Sequence, residues 1–221
     1  MSNSLPIHLN FAALMCSRLC HDLVGPVGAV ANGAELLAEG GQDMLDDATS
    51  LISNSAGQAV RRLRFYRIAF GASGAASIGW AEALQTTSAL LEDHKTELKL
   101  DGNEIPGEGG ESLGILIKVA LNAILMVSAG IPRGGVMSVQ LRGDQSSPHI
   151  TIEATGSIAK MDENGLDALH LGQSGAADLQ GIDARAAQSF LLGQLAHSAG
   201  LVVAVAENGP ERLIVEVNPA S

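Results

Sequence analysis

Leu19-Cys20-His21-Asp22-Leu23-Val24-Gly25-Pro26 is the stretch on which the fold of this chain turns, because it sets a histidine and an acid inside an apolar helical pattern. Around it Phe11, Leu14, Met15, Leu19, Val24, Val27, Val30, Leu36 and Leu37 recur at spacings of three and four, which predicts one long helix over 9–39 with a wide apolar face. Pro26 removes a hydrogen bond from the ladder, so a bend is expected about one turn after His21. Gly40-Gly41 ends the helix. A second helical pattern covers 42–70, through Met44, Leu45, Ala48, Leu51, Ile52, Ala59, Leu63, Tyr66 and Ile68, with Asp43, Asp46 and Asp47 in its first turns, where they suit the helix dipole. Two long helices joined by two glycines read as an antiparallel hairpin. A lone hairpin cannot bury both apolar faces, so a four-helix bundle built by a homodimer is the expected solution.

Past the hairpin the composition changes. The small, glycine-rich segment 71–78 reads as a linker, giving a hairpin domain over 1–72, a linker over 73–80 and a second domain over 81–221. The second domain reads as a helix at 80–93, a strand at 97–100, a turn at 101–110, a helix at 111–128, and strands at 136–141 and 149–154. A polar mixed segment follows, then a helix at 184–198 and strands at 201–206 and 212–217. Helices on one face of a mixed sheet make an α/β sandwich, so the fold class is a helical hairpin followed by α/β.

Charge and composition narrow the partners. The first 70 residues hold five Arg against six acids, while 71–221 hold eight bases against eighteen acids, for a net charge of −11. A chain this acidic, with 3% aromatics and no basic stripe, is a poor ligand for nucleic acid, so the expected partner is protein. No apolar run reaches the roughly 18 residues a bilayer span needs, and no export signal precedes the first helix, so the expectation is a cytoplasmic protein that meets no membrane. Cys16 and Cys20 lie four apart, on one side of the helix, and read as small core-facing residues of a reducing compartment.

His21 carries the chemistry. Imidazole can attack a phosphoryl centre and hold it in a labile N–P bond, and a helix surface gives the access such a nucleophile needs. Asp22 beside it can bond one ring nitrogen and fix which one attacks. Positions four, seven, eight and eleven after His21 are Gly25, Gly28, Ala29 and Asn32, a strip of small residues on the same face where a partner backbone could come close. Counting back from the hairpin turn puts Arg61 or Arg62 level with His21, within the cluster Arg61, Arg62, Arg64 and Arg67. These arginines and Arg18 suit phosphoryl oxygens or an acidic partner.

The block His21-Asp22-Leu23-x-x-Pro26 resembles the phosphoacceptor box of histidine kinases. The longer run from Leu19 to Leu37 resembles the ChpT-type histidine phosphotransferases of alphaproteobacterial cell-cycle relays. The order of elements in the second domain is similar to a kinase ATP-binding domain, but the nucleotide contacts are missing. Leu121-Asn122-Ala123 matches the end of the kinase Asn box, yet Lys118 stands where that pattern also expects Asn. The strand Ile150 to Ser157 has Ala154 or Thr155 in place of the adenine-reading Asp, and Gln180 to Gln188 keeps one glycine of a glycine-rich turn.

The resemblance implies a carrier with no ATP binding and no cofactor of its own, taking phosphoryl from the receiver of a CckA-like hybrid kinase and passing it to CtrA-like and CpdR-like response regulators. The receiver would bring Mg²⁺. The alternative is an active kinase core that loads His21 from ATP.

Overall fold

The computed structural model describes residues 7–39, 44–71, 78–101, 111–176 and 179–220. Helix α1 (Ile7–Glu39) and helix α2 (Leu45–Ala69) form the hairpin. Pro26 lies inside α1, and the helix runs through it without interruption. The expected stop at Gly40-Gly41 and most of the expected linker lie outside the described residues. The helices cross closely at Gly33, where an added Cβ would sit 2.6 Å from Ile52 Cγ1 and 3.3 Å from the Ala48 carbonyl oxygen.

The second half carries α3 (Trp80–Glu92), β1 (Thr96–Asp101), α4 (Glu111–Gly130), β2 (Gly135–Gly143), β3 (Pro148–Thr155), α5 (Glu163–Gln173), α6 (Ala187–Ser198), β4 (Leu201–Asn208) and β5 (Arg212–Pro219). The sheet order is β1-β2-β3-β5-β4, with β1 parallel to β2 and the other pairs antiparallel. Along β3 buried residues alternate with more exposed ones, as on a sheet covered on one face. The long apolar helix α4 supplies much of the cover. Leu121, Ala123 and Ile124 on it are fully buried, so its length and hydropathy belong to a core helix.

The mixed polar segment, to which no element is assigned from sequence, contains α5. Its buried face is Gly165, Ala168, Leu169 and Gly172, too small and too mixed to give a clear helical period in the sequence. Those small residues let α5 and α6 touch backbone to backbone. A Cβ on Gly172 would overlap the Phe190 carbonyl, and one on Gly193 would overlap the Leu169 carbonyl.

The two halves share one hydrophobic core. Phe65, Tyr66, Ile68 and Ala69 at the end of α2 belong to the same buried cluster as Trp80, Leu91, Ile117, Ile124 and the inner face of the sheet. A smaller cluster sets Phe11 and Leu14 of α1 against Ala168, Leu179, Ala186 and Phe190, with the Phe11 and Phe190 rings 5.5 Å apart. Cys16 and Cys20 do not face this core. Both are exposed.

Candidate phosphoacceptor site

His21 and Asp22 are one residue apart on α1, a turn of about 100°. That step sends the imidazole outward and the acid inward: the His21 side chain is 77% exposed and the Asp22 side chain 19%. Asp22 Oδ1 lies 3.3 Å from His21 Nδ1. Asp22 Oδ2 accepts two hydrogen bonds, from Arg18 Nε at 2.9 Å and from the Tyr66 hydroxyl at 2.7 Å. The Asp22 backbone carbonyl accepts a further bond from the Arg62 guanidinium across the hairpin.

Burial by itself would push the Asp22 carboxyl up. The Tyr66 hydroxyl, the charge and hydrogen bond of Arg18, and the contact with His21 together outweigh it and hold the carboxyl below its ordinary 3.8. An ionised carboxylate only accepts, so the contact with His21 is a hydrogen bond when Nδ1 carries the ring proton. The lone pair of a neutral ring then sits on Nε2, the nucleophile this arrangement offers. Burial first, and the bond to Asp22 next, push the Tyr66 phenol far above its usual value, so it stays a donor.

The arginines separate in the structure. Arg62 lies beside the site. Arg61 turns the other way and pairs with Asp93 at the end of α3, its Nε 3.1 Å from Oδ2. Arg64 is exposed on α2. Arg18 joins the site to the second half, because its Nη1 donates to the Arg185 carbonyl at 3.2 Å just before α6. His94, following α3, has its imidazole held below the usual histidine value by desolvation first and by the Arg62 charge second.

The small-residue strip divides too. A Cβ on Gly25 or Gly28 would meet nothing within 4 Å, Ala29 is half-buried, and Asn32 is exposed. Tyr66 was not among the expected site residues, since it reads as one more apolar position of α2. Its spacing of four from Arg62, one turn along the same face, was the available signal.

In the second half, Asn122 at the position resembling the kinase Asn box is fully buried. Its amide donates to the Ala69 carbonyl at 3.1 Å and the Lys118 carbonyl at 2.9 Å. The Gln188 amide donates to Asn122 Oδ1 at 3.1 Å and to its backbone carbonyl at 2.8 Å. Asn122 is a clamp joining α2, α4 and α6. Among the described residues no group of three or more His, Cys, Asp or Glu could hold a metal ion.

Residues 80–211 match the family model described as the histidine phosphotransferase C-terminal domain. The chain is 38% identical over 207 residues to protein phosphotransferase ChpT of Brucella abortus (strain 2308), covering 91% of this chain and 94% of that protein. This chain belongs to the ChpT-type histidine phosphotransferases. A solved bacterial phosphotransferase superposes with a TM-score of 0.78 at 35% identity, covering 97% of this chain and all of that one. Membership makes it a component of phosphorelay signalling, and in this phosphotransferase the exposed imidazole of His21 stands beside the Asp22 carboxylate.

Proposed function

We propose that the phosphotransferase carries phosphoryl groups between aspartates, with Nε2 of His21 as the carrier atom. A receiver phospho-aspartate presents its phosphorus to Nε2; the N–P bond forms as the acyl phosphate P–O bond breaks, and the aspartate leaves as carboxylate. Asp22 holds the Nδ1 proton and stabilises the cationic ring as it develops. The reverse displacement loads an aspartate on a second receiver, and that receiver supplies the Mg²⁺. The observation that carries this reading is the exposed imidazole whose Nδ1 faces a carboxylate.

The same reading assigns the donor to the receiver of a CckA-like hybrid kinase and the acceptors to CtrA-like and CpdR-like regulators in the cytoplasm. Open space at Gly25 and Gly28 supports their use as the place where a receiver loop approaches, with Ala29 and Asn32 beside them. Arg64 remains exposed on α2 for an acidic partner face, whereas Arg61 is engaged with Asp93 and Arg62 with the Asp22 carbonyl.

ATP has no part in the proposal. Asn122 is consumed by its clamp, and an Mg²⁺ ligand there would have to break buried hydrogen bonds. A homodimer completes the hairpin. Leu9, Cys16, Cys20, Val27, Ala31 and Ala34 are all exposed and fall on one stripe of α1, at spacings of seven, four, seven, four and three. Exposed Leu45 and Leu63 on α2 extend the apolar surface. A second hairpin would cover both stripes.

The test is label transfer. Phosphorylated receiver mixed with the phosphotransferase should label wild type and leave His21→Ala unlabelled, and labelled Mg-ATP alone should label neither. Equal labelling of His21→Ala by the receiver would overturn the carrier reading, and labelling of His21 by ATP alone would make the protein a kinase.

A further inference from the structure

We propose that Tyr66 and Arg18 are positioning residues of the transfer reaction: they fix the Asp22 carboxylate so that Oδ1 meets His21 Nδ1, and Arg18 carries that constraint to the second domain. The inference rests on His21 as the phosphoryl acceptor and adds to it the groups that set its reactive tautomer.

A carboxylate on a helix surface turns about its terminal torsion with little resistance. Here Oδ2 is held at two points, by Tyr66 from α2 and by Arg18 from the preceding turn of α1, which leaves Oδ1 as the oxygen facing the imidazole. A solvated imidazole side chain has no fixed carboxylate beside Nδ1 to select its Nδ1–H form, so the selection depends on how well Oδ1 stays in place. Tyr66 is buried within the hairpin and its neighbours: its hydroxyl bonds Asp22, and its ring stacks on Phe70 with centroids 5.3 Å apart. It cannot serve as a docking residue for a receiver.

Arg18 divides its guanidinium between two partners, Nε to Asp22 and Nη1 to the Arg185 carbonyl. The loop ahead of α6 therefore fixes the arginine that fixes the acid. Arg62 on the Asp22 carbonyl and the nearby His94 complete the charged and titratable surroundings. A lysine in place of Arg18 keeps the charge and has only one nitrogen for two sites.

The experiment reads the tautomer and the transfer separately. Full-length protein labelled with ¹⁵N-histidine, kept at a pH above the histidine range, is compared with Tyr66→Phe and Arg18→Lys by long-range ¹H–¹⁵N correlation, with no partner present. Wild-type His21 should be mostly Nδ1–H, and both variants should shift toward Nε2–H. Tyr66→Phe should lower the maximal rate of transfer from a phosphorylated receiver about ten-fold, the scale of one hydrogen bond to a charged group. The receiver concentration giving half that rate should stay unchanged.

Unchanged far-UV dichroism in Tyr66→Phe would set aside a folding defect, and its retained ring stack makes that the expected result. A wild-type tautomer mixture like that of free histidine, or a Tyr66→Phe protein with wild-type tautomer and rate, overturns the proposal. A rise in half-saturating receiver concentration without a change in maximal rate does so as well. Failure of His21→Ala to abolish labelling would instead overturn the carrier reading, so the two failures are distinct.

Discussion

Asp22 is where electrostatics and stability meet at the scale of one residue. Its folded carboxyl is held below the ordinary 3.8, so the unfolded chain binds its proton more readily than the folded one does. The resulting stabilisation is complete above the unfolded value and is lost as the pH falls through the folded one. Urea midpoints measured from about pH 6 down to about pH 3 should therefore fall, and Asp22→Asn should flatten that part of the curve. An Asp22→Asn curve as steep as wild type would assign the loss to other acids. Asn122 makes a second case. Replacing it by Ala removes the side-chain bond to the Ala69 carbonyl and leaves the Gln188 amide only the backbone carbonyl of residue 122, and a buried polar group left unsatisfied costs about 1–3 kcal/mol. Asn122→Ala should lose about 1–3 kcal/mol in urea unfolding, and wild-type protein should give no binding heat with Mg-ATP. That His21, Asp22 and Arg18 lie together was legible from sequence because they fall within about one turn of a single helix, but Arg18 was expected to meet phosphoryl oxygens or an acidic partner and instead bonds Asp22 and the Arg185 carbonyl. Tyr66 was not, since its role depends on which α2 residue comes level with Asp22 and no spacing within α1 encodes that.

Among the elements, α1 is unusual in carrying Gly25, Gly28 and Gly33 inside a long helix, each about 1 kcal/mol worse than Ala for helix formation. The structure explains one of them. At Gly33 the α2 helix fills the space a Cβ would need, so Gly33→Ala should force Ile52 aside and lower the melting temperature. Gly25 and Gly28 meet open space, so Ala at either should raise stability by about 0.5–1 kcal/mol in thermal melts. If a receiver backbone approaches there, the same substitutions should slow phosphotransfer. Variants that are both more stable and fully active would remove these glycines from the docking face. The hairpin and most of the second half were readable from apolar period alone, with ends within a few residues. Helix α5 was not, because its inner face is built from glycine and alanine selected for close approach to α6, and the hydrophobic period counts larger side chains.

Over the whole molecule, the sequence suggests two domains joined by a glycine-rich linker, and the structure joins them through a common core. Phe65, Ile68 and Ala69 are buried with the second half, Arg61 pairs with Asp93, and Phe11 packs on Phe190. A hairpin seated this way cannot unfold alone without exposing the cover of α4. Trp80, the one tryptophan, lies in that core and reports on the second half, while far-UV ellipticity weighs the helices of both halves. Thermal unfolding followed by the two signals should give one coincident transition. If the exposed stripes of α1 and α2 pair with a second copy, its midpoint should also rise with protein concentration, because the associated state is favoured by mass action. Val27→Glu, which sets a charge on that stripe, should remove the concentration dependence and give a monomer in sedimentation. Two separate transitions would contradict the shared core. A midpoint independent of concentration, with a monomer in wild-type sedimentation, would contradict the dimer and leave the core intact.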